Sequence, residues 1–173
     1  MPNAESIVIT RTARTNHKPL FLQMKKFLSI LIIALLFLTA CQKKPVYSSY
    51  QMIRHQEWNM DNILWFDIPT PDTTNHYDII LSIRHTNRYR YQNLWLFTEL
   101  NGKADTIEFY LADEFGLWLG NGVGDTKEMP VLYMTDYQFP PDSLITIKIQ
   151  QGMRDSLLQG IQDVGVIVMR NEK

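Results

Sequence analysis

The chain has 173 residues, 45% hydrophobic and 20% charged, with a formal net charge of −1. That length predicts one domain and little else. So even a charge balance makes no electrostatic case for a nucleic-acid partner.

Residues 1–23 show no clear period and hold a polar stretch before the basic start. They are read as a gene-model extension, with Met24 as the true start, and are set aside from fold reasoning. From Met24 the sequence runs MKKFLSILIIALLFLTAC. Lys25 and Lys26 supply a basic start, and Phe27 to Ala40 is an uncharged run of 14 residues. A helix crossing a hydrocarbon core needs roughly 20 apolar residues, so this run fits the apolar region of a secretory signal peptide instead. The signal is placed at residues 24–40. It ends in Leu38-Thr39-Ala40-Cys41, which resembles the lipobox of bacterial lipoproteins, where cleavage precedes an acylated cysteine. Cys41 is the chain's only cysteine. A lone free thiol is odd in a secreted protein, and lipidation at Cys41 removes the oddity by turning the thiol into a thioether. Two or three acyl chains there would hold the protein to a membrane durably, since each buried methylene contributes about 0.8 kcal/mol.

Residues 41–49 (CQKKPVYSS) read as a polar tether kept extended by Pro45, and residues 50–173 as the folded domain. From Cys41 onward there are 12 Lys and Arg against 17 Asp and Glu, a net charge of −5, which suits a soluble body.

The domain reads as strands. Met52–Trp58 and Ile63–Ile68 open it. Tyr77–His85 alternates, with Tyr77, Ile79, Leu81 and Ile83 on one side. Asn93–Leu100 is apolar on both faces until Thr98, as in a strand central to a packed pair of sheets. Asn101-Gly102 is a two-residue hairpin signal, from which the chain returns as Asp105–Ala112. Val131–Phe139 and Leu144–Gln150 are separated by Pro140-Pro141-Asp142, and Asp163–Arg170 closes the chain. Residues 151–161 are the one helical candidate, limited by Gly152 and Gly160 to about two turns. About eight short strands with turn signals between them predict an all-β fold, an antiparallel, jelly-roll-like β-sandwich with one short helix.

Few residues form a chemical constellation. Gly120, Gly122 and Gly124 do not lead into a helix, so they lack the dipole and free N–H groups that a phosphate site needs. His55, His76 and His85 lie in separate segments with no metal-ligand spacing. Asp72, Asp113, Asp125 and Asp136 are scattered, and no GxSxG elbow is present. No catalytic residue and no metal site is assigned. Aromatic residues are more informative. Arg88, Tyr89, Arg90 and Tyr91 set cations beside rings, which could meet a glycan or protein partner or stack on one another to order a loop. Trp118, between Gly116 and Gly120, reads as an exposed platform or a core plug. Arg154, near a strand end, is a further candidate for partner or glycan contact.

Several of these residues, taken in order, resemble the GldH-type gliding-motility lipoproteins of Bacteroidetes. The likeness rests on Asn87 with Tyr91, Asn93 and Leu94, and on Asp105-Thr106 followed by Leu111-Ala112-Asp113. It continues through Gly116-x-Trp118-x-Gly120-x-Gly122 to Gln151-x-Met153-Arg154, then Leu158, Ile161 and Val164-Gly165. The resemblance implies an envelope lipoprotein that works with other gliding and secretion components, without enzyme activity and without a cofactor. Gln42-Lys43-Lys44 is basic, whereas surface-exposed lipoproteins of these bacteria resemble one another in acidic residues after the cysteine. That implies a periplasm-facing protein, with the outer membrane favoured. Two roles are therefore expected: a non-catalytic subunit acting through protein–protein contacts, or a carbohydrate-binding envelope lipoprotein.

Overall fold

The computed structural model describes residues 44–171 except 72, 142 and 143, together with Lys25 and Leu28. The signal, the extension before it and Cys41 lie outside that set apart from those two residues. The chain divides into two units, Met1–Gln42 and Lys43–Lys173, and the described strands all belong to the second.

Ten strands follow in order: β1 (Tyr47–Met52), β2 (Glu57–Asn59), β3 (Leu64–Pro69), β4 (Tyr77–Thr86) and β5 (Asn93–Leu100), then β6 (Lys103–Tyr110), β7 (Thr126–Tyr137), β8 (Leu144–Gln151), β9 (Leu157–Gln159) and β10 (Ile161–Arg170). They pair as a nested antiparallel series, β1 with β10, β2 with β9, β3 with β8, β4 with β7 and β5 with β6. The chain is thus one long hairpin rolled up on itself. Lateral pairing of β10 with β4 and of β8 with β5 produces two four-stranded sheets, β1-β10-β4-β7 and β3-β8-β5-β6. This is the jelly-roll arrangement of a β-sandwich.

Alternation drives the packing. Inward positions are Ile79, Leu81 and Ile83 on β4, Val164, Val166 and Val168 on β10, and Ile145, Ile147 and Ile149 on β8, all fully buried. Leu64, Phe66 and Ile68 of β3 and Leu94 and Leu96 of β5 close the core from the second sheet. Burying each such side chain contributes about 1.5–3 kcal/mol, and β-branched residues suit the pleated backbone. Asn101 and Gly102 adopt φ of 51° and 82°, the left-handed geometry that a two-residue hairpin needs. Pro130 sits within β7. That strand is the edge of its sheet, where a missing N–H is tolerated.

Four expectations change. The tether is shorter, because β1 takes up its last three residues, Tyr47 to Ser49. The strand expected over Met52–Trp58 is interrupted by a 3-10 turn at Arg54–Gln56, where His55 and Gln56 have positive φ; Ile53 turns into the core there. Residues 151–161 form no helix. The buried Gln151 side chain instead accepts from the Met153 N–H at 2.8 Å and donates to the Asp155 carbonyl at 2.7 Å. This local bonding competes with helical pairing, and the segment continues into β9. Finally, β5 is not buried on both faces: Trp95 and Phe97 point away from the core, 38% and 49% exposed.

Candidate functional site

Strand direction sorts the connections onto two ends. Four lie together at the far end: β1 to β3, β4 to β5, β6 to β7 and β8 to β10. The near end carries the entry into β1, the β3–β4 and β7–β8 connections, the Asn101-Gly102 hairpin and the exit from β10. Arg88, Tyr89, Tyr91, Trp118 and Arg154 all fall on far-end connections. The structure therefore gathers five candidate residues from three separate segments at one end.

They do different things there. Tyr89 is buried, and its hydroxyl donates to the Asn93 carbonyl at 2.7 Å. Burial pushes its phenol well above the ordinary range. Trp118 is half-buried and packs on the core, its ring 4.7 Å from that of His85 and 6.4 Å from that of Tyr89. This is the position of a plug rather than of a platform. His85 is fully buried, and neither ring nitrogen has a hydrogen-bond partner among the described residues. Burial, reinforced by the Lys127 charge, holds its pKa below the ordinary value. The rings of Tyr89 and Tyr91 meet edge to face at 5.9 Å. Gly160 fixes how closely these loops approach: its φ is 89°, and a Cβ there would come within 2.2 Å of the Tyr89 nitrogen.

The glycine-rich loop has a similar explanation. A Cβ at Gly120 would meet the Glu128 carbonyl oxygen at 2.2 Å, and one at Gly122 the Thr126 oxygen at 2.0 Å. These glycines let the loop lie against the start of β7. The same loop raises Phe115, Leu117 and Val123 into solvent, 81%, 66% and 92% exposed. No sequence pattern marked them, because an apolar residue in a loop carries no period.

Arg88 and Arg154 are exposed. Arg154 belongs to a groove of about 360 Å³ lined by Tyr91, Asn93, Trp95, Gly152, Met153 and Arg154. Tyr91 donates to Asp155 Oδ2 at 2.8 Å, which raises the Tyr91 pKa. The groove continues on the outer face of β3-β8-β5-β6, where Trp65, Trp95, Phe97 and Tyr110 are exposed. A second groove of about 380 Å³ runs beside Phe97 along Glu99, Thr106, Lys148 and Gln150.

The outer face of β1-β10-β4-β7 holds a network that sequence reasoning missed. Glu128 Oε1 accepts from the Tyr50 hydroxyl at 3.0 Å and from the Ser82 hydroxyl at 2.6 Å. Arg84 pairs with Asp163 at 2.6 Å and lies 4.7 Å from the Tyr50 ring centroid. The pairing with Asp163 raises the Arg84 pKa. Tyr50 crosses Gly165, where a Cβ would come within 2.5 Å of its ring. The Arg84–Asp163 pair alone spans 79 positions, and only the strand register brings these residues together.

Comparison with known proteins follows the same stretch of chain. A family model described as GldH lipoprotein matches residues 45–168. A "Gliding motility lipoprotein GldH homolog" from Christiangramia forsetii is 36% identical over 155 residues, covering 83% of this chain and 94% of that protein. "Gliding motility lipoprotein GldH" from Flavobacterium johnsoniae is 33% identical over 148 residues, covering 79% of this chain and 91% of that protein. No solved structure matches with significance.

Proposed function

The chain belongs to the GldH lipoprotein family, and on that premise we propose that it is a non-catalytic lipoprotein of the gliding motility or protein secretion apparatus. Acylated Cys41 anchors it, facing the periplasm in keeping with the basic Gln42-Lys43-Lys44, and the outer membrane is favoured over the inner. It works by contact with other envelope proteins.

The observation that carries this reading is the polarity of the fold. Six residue steps separate Cys41 from Tyr47 at the start of β1, and a chain that short spans at most ~20 Å. An anchor at Cys41 therefore holds the near end beside the lipid. The far end can then reach about one strand further from the lipid, ~30 Å for ten residues. That end presents Phe115, Leu117 and Val123. Exposed large apolar side chains grouped on one loop are the chemistry of a protein contact.

The test is crosslinking in cells from a photoreactive residue placed at Phe115 or Val123, with Lys103 of the near-end hairpin as the reference site. Envelope proteins of the motility or secretion apparatus should be captured from the far-end positions and not from Lys103. Capture of no envelope protein from Phe115 and Val123, in cells where the anchored protein is present at normal level, contradicts the proposal.

A further inference from the structure

The segment Gln151-x-Met153-Arg154 has three members with a visible structural task and one without. Gln151 is buried and ties down the turn through Met153 and Asp155. Met153 lends its sulfur to the Trp95 N–H at 3.4 Å, and the Gly152 N–H donates to the Trp95 carbonyl at 2.7 Å. Tyr91 fixes the Asp155 carboxylate. Arg154 stands between two immobilised residues, and among the described residues no acid pairs with its guanidinium. The turn is built rigidly, and what it displays is a free cation.

Beside that cation lie the rings of Trp95 and Tyr91 and the Asn93 amide, which donates to Glu108 at 2.6 Å and keeps its carbonyl oxygen as an acceptor. Gly152 lets this turn pack closely on β5: a Cβ there would press on the Trp95 Cβ and carbonyl oxygen and on the Phe97 ring at 3.3 Å. An indole face, an amide and an unpaired guanidinium within one groove match a pyranose ring that carries a carboxylate. The ring would stack on Trp95, a hydroxyl would bond Asn93, and the carboxylate would form the bidentate pair for which arginine is suited. A neutral sugar would leave Arg154 unused, and an acidic peptide would leave the indole face without a flat partner.

We infer that this groove binds acidic saccharides, with Trp95 as the stacking surface and Arg154 as the carboxylate clamp. The inference stands apart from which proteins the far end contacts. The test uses the detergent-extracted full chain, titrated with oligogalacturonate and oligoguluronate, and followed by calorimetry and tryptophan fluorescence. The neutral methyl ester of oligogalacturonate and hexaglutamate serve as comparison ligands. At least one uronate oligomer should bind, the neutral ester about tenfold more weakly, and Arg154→Ala and Trp95→Ala should each weaken uronate binding about tenfold. Trp95→Phe, which keeps a ring and the backbone bonds, should recover part of the loss. No binding of either uronate, equal binding of acid and ester, an Arg154→Ala variant with unchanged affinity, or binding of hexaglutamate alone would each overturn the assignment.

Discussion

The two outer faces of the sandwich differ in what they leave open to solvent. On β1-β10-β4-β7, Tyr50, Ser82, Arg84, Glu128 and Asp163 satisfy one another across all four strands. On β3-β8-β5-β6, Lys148 pairs with Glu99 and stacks on Trp65, yet Trp95, Phe97 and Arg154 remain open to solvent beside two grooves. A self-satisfied network stabilises a sheet and offers little to a ligand. An exposed, unpaired guanidinium such as that of Arg154 costs little stability when removed and has its bonding capacity to spare. Stability and recognition should therefore separate by face.

The largest effect is expected at Arg84. Asp163 keeps only 3% side-chain exposure, so Arg84→Ala leaves a buried carboxylate without its counter-charge. Such a loss costs about 3 kcal/mol, a drop in melting temperature of roughly 10 °C for a domain of this size, read by thermal unfolding. A smaller effect follows from Gly165→Ala, whose Cβ pushes the Tyr50 ring off β10 and away from Glu128. About 1–2 kcal/mol is expected, because the ring is at the surface and can swing aside. The smallest belongs to Arg154→Ala, whose unfolding free energy should stay within about 0.5 kcal/mol of the parent while uronate binding falls. A strongly destabilised Arg154→Ala would erase the contrast between the faces.

How far the sequence reached depended on whether the signal was local. Ile145, Ile147 and Ile149 alternate, and they line the core. Asn101-Gly102 forms the expected turn between β5 and β6. Trp95 and Phe97 misled, because an outward ring and an inward one are the same letter when both faces of a strand are apolar. The helix expected over residues 151–161 failed because the Gln151 side chain, invisible as a capping group in the pattern, claimed the backbone that a helix would use. Arg88, Tyr91 and Arg154 were legible as residue types suited to contact. That they share one end with Tyr89 and Trp118 follows from the rolled hairpin, which local pattern does not encode. The Tyr50–Glu128–Arg84–Asp163 set had no local trace at all.

The proposed placement of the near end beside the membrane depends on lipidation of Cys41. Intact and peptide mass analysis of the protein extracted from membranes tests it. The expected result is a chain that begins at Cys41 and carries there the added mass of two acyl groups on the thiol, or of three with the new amino terminus acylated as well. An unmodified Cys41, or a membrane-bound polypeptide that still holds Met24–Ala40, would contradict it.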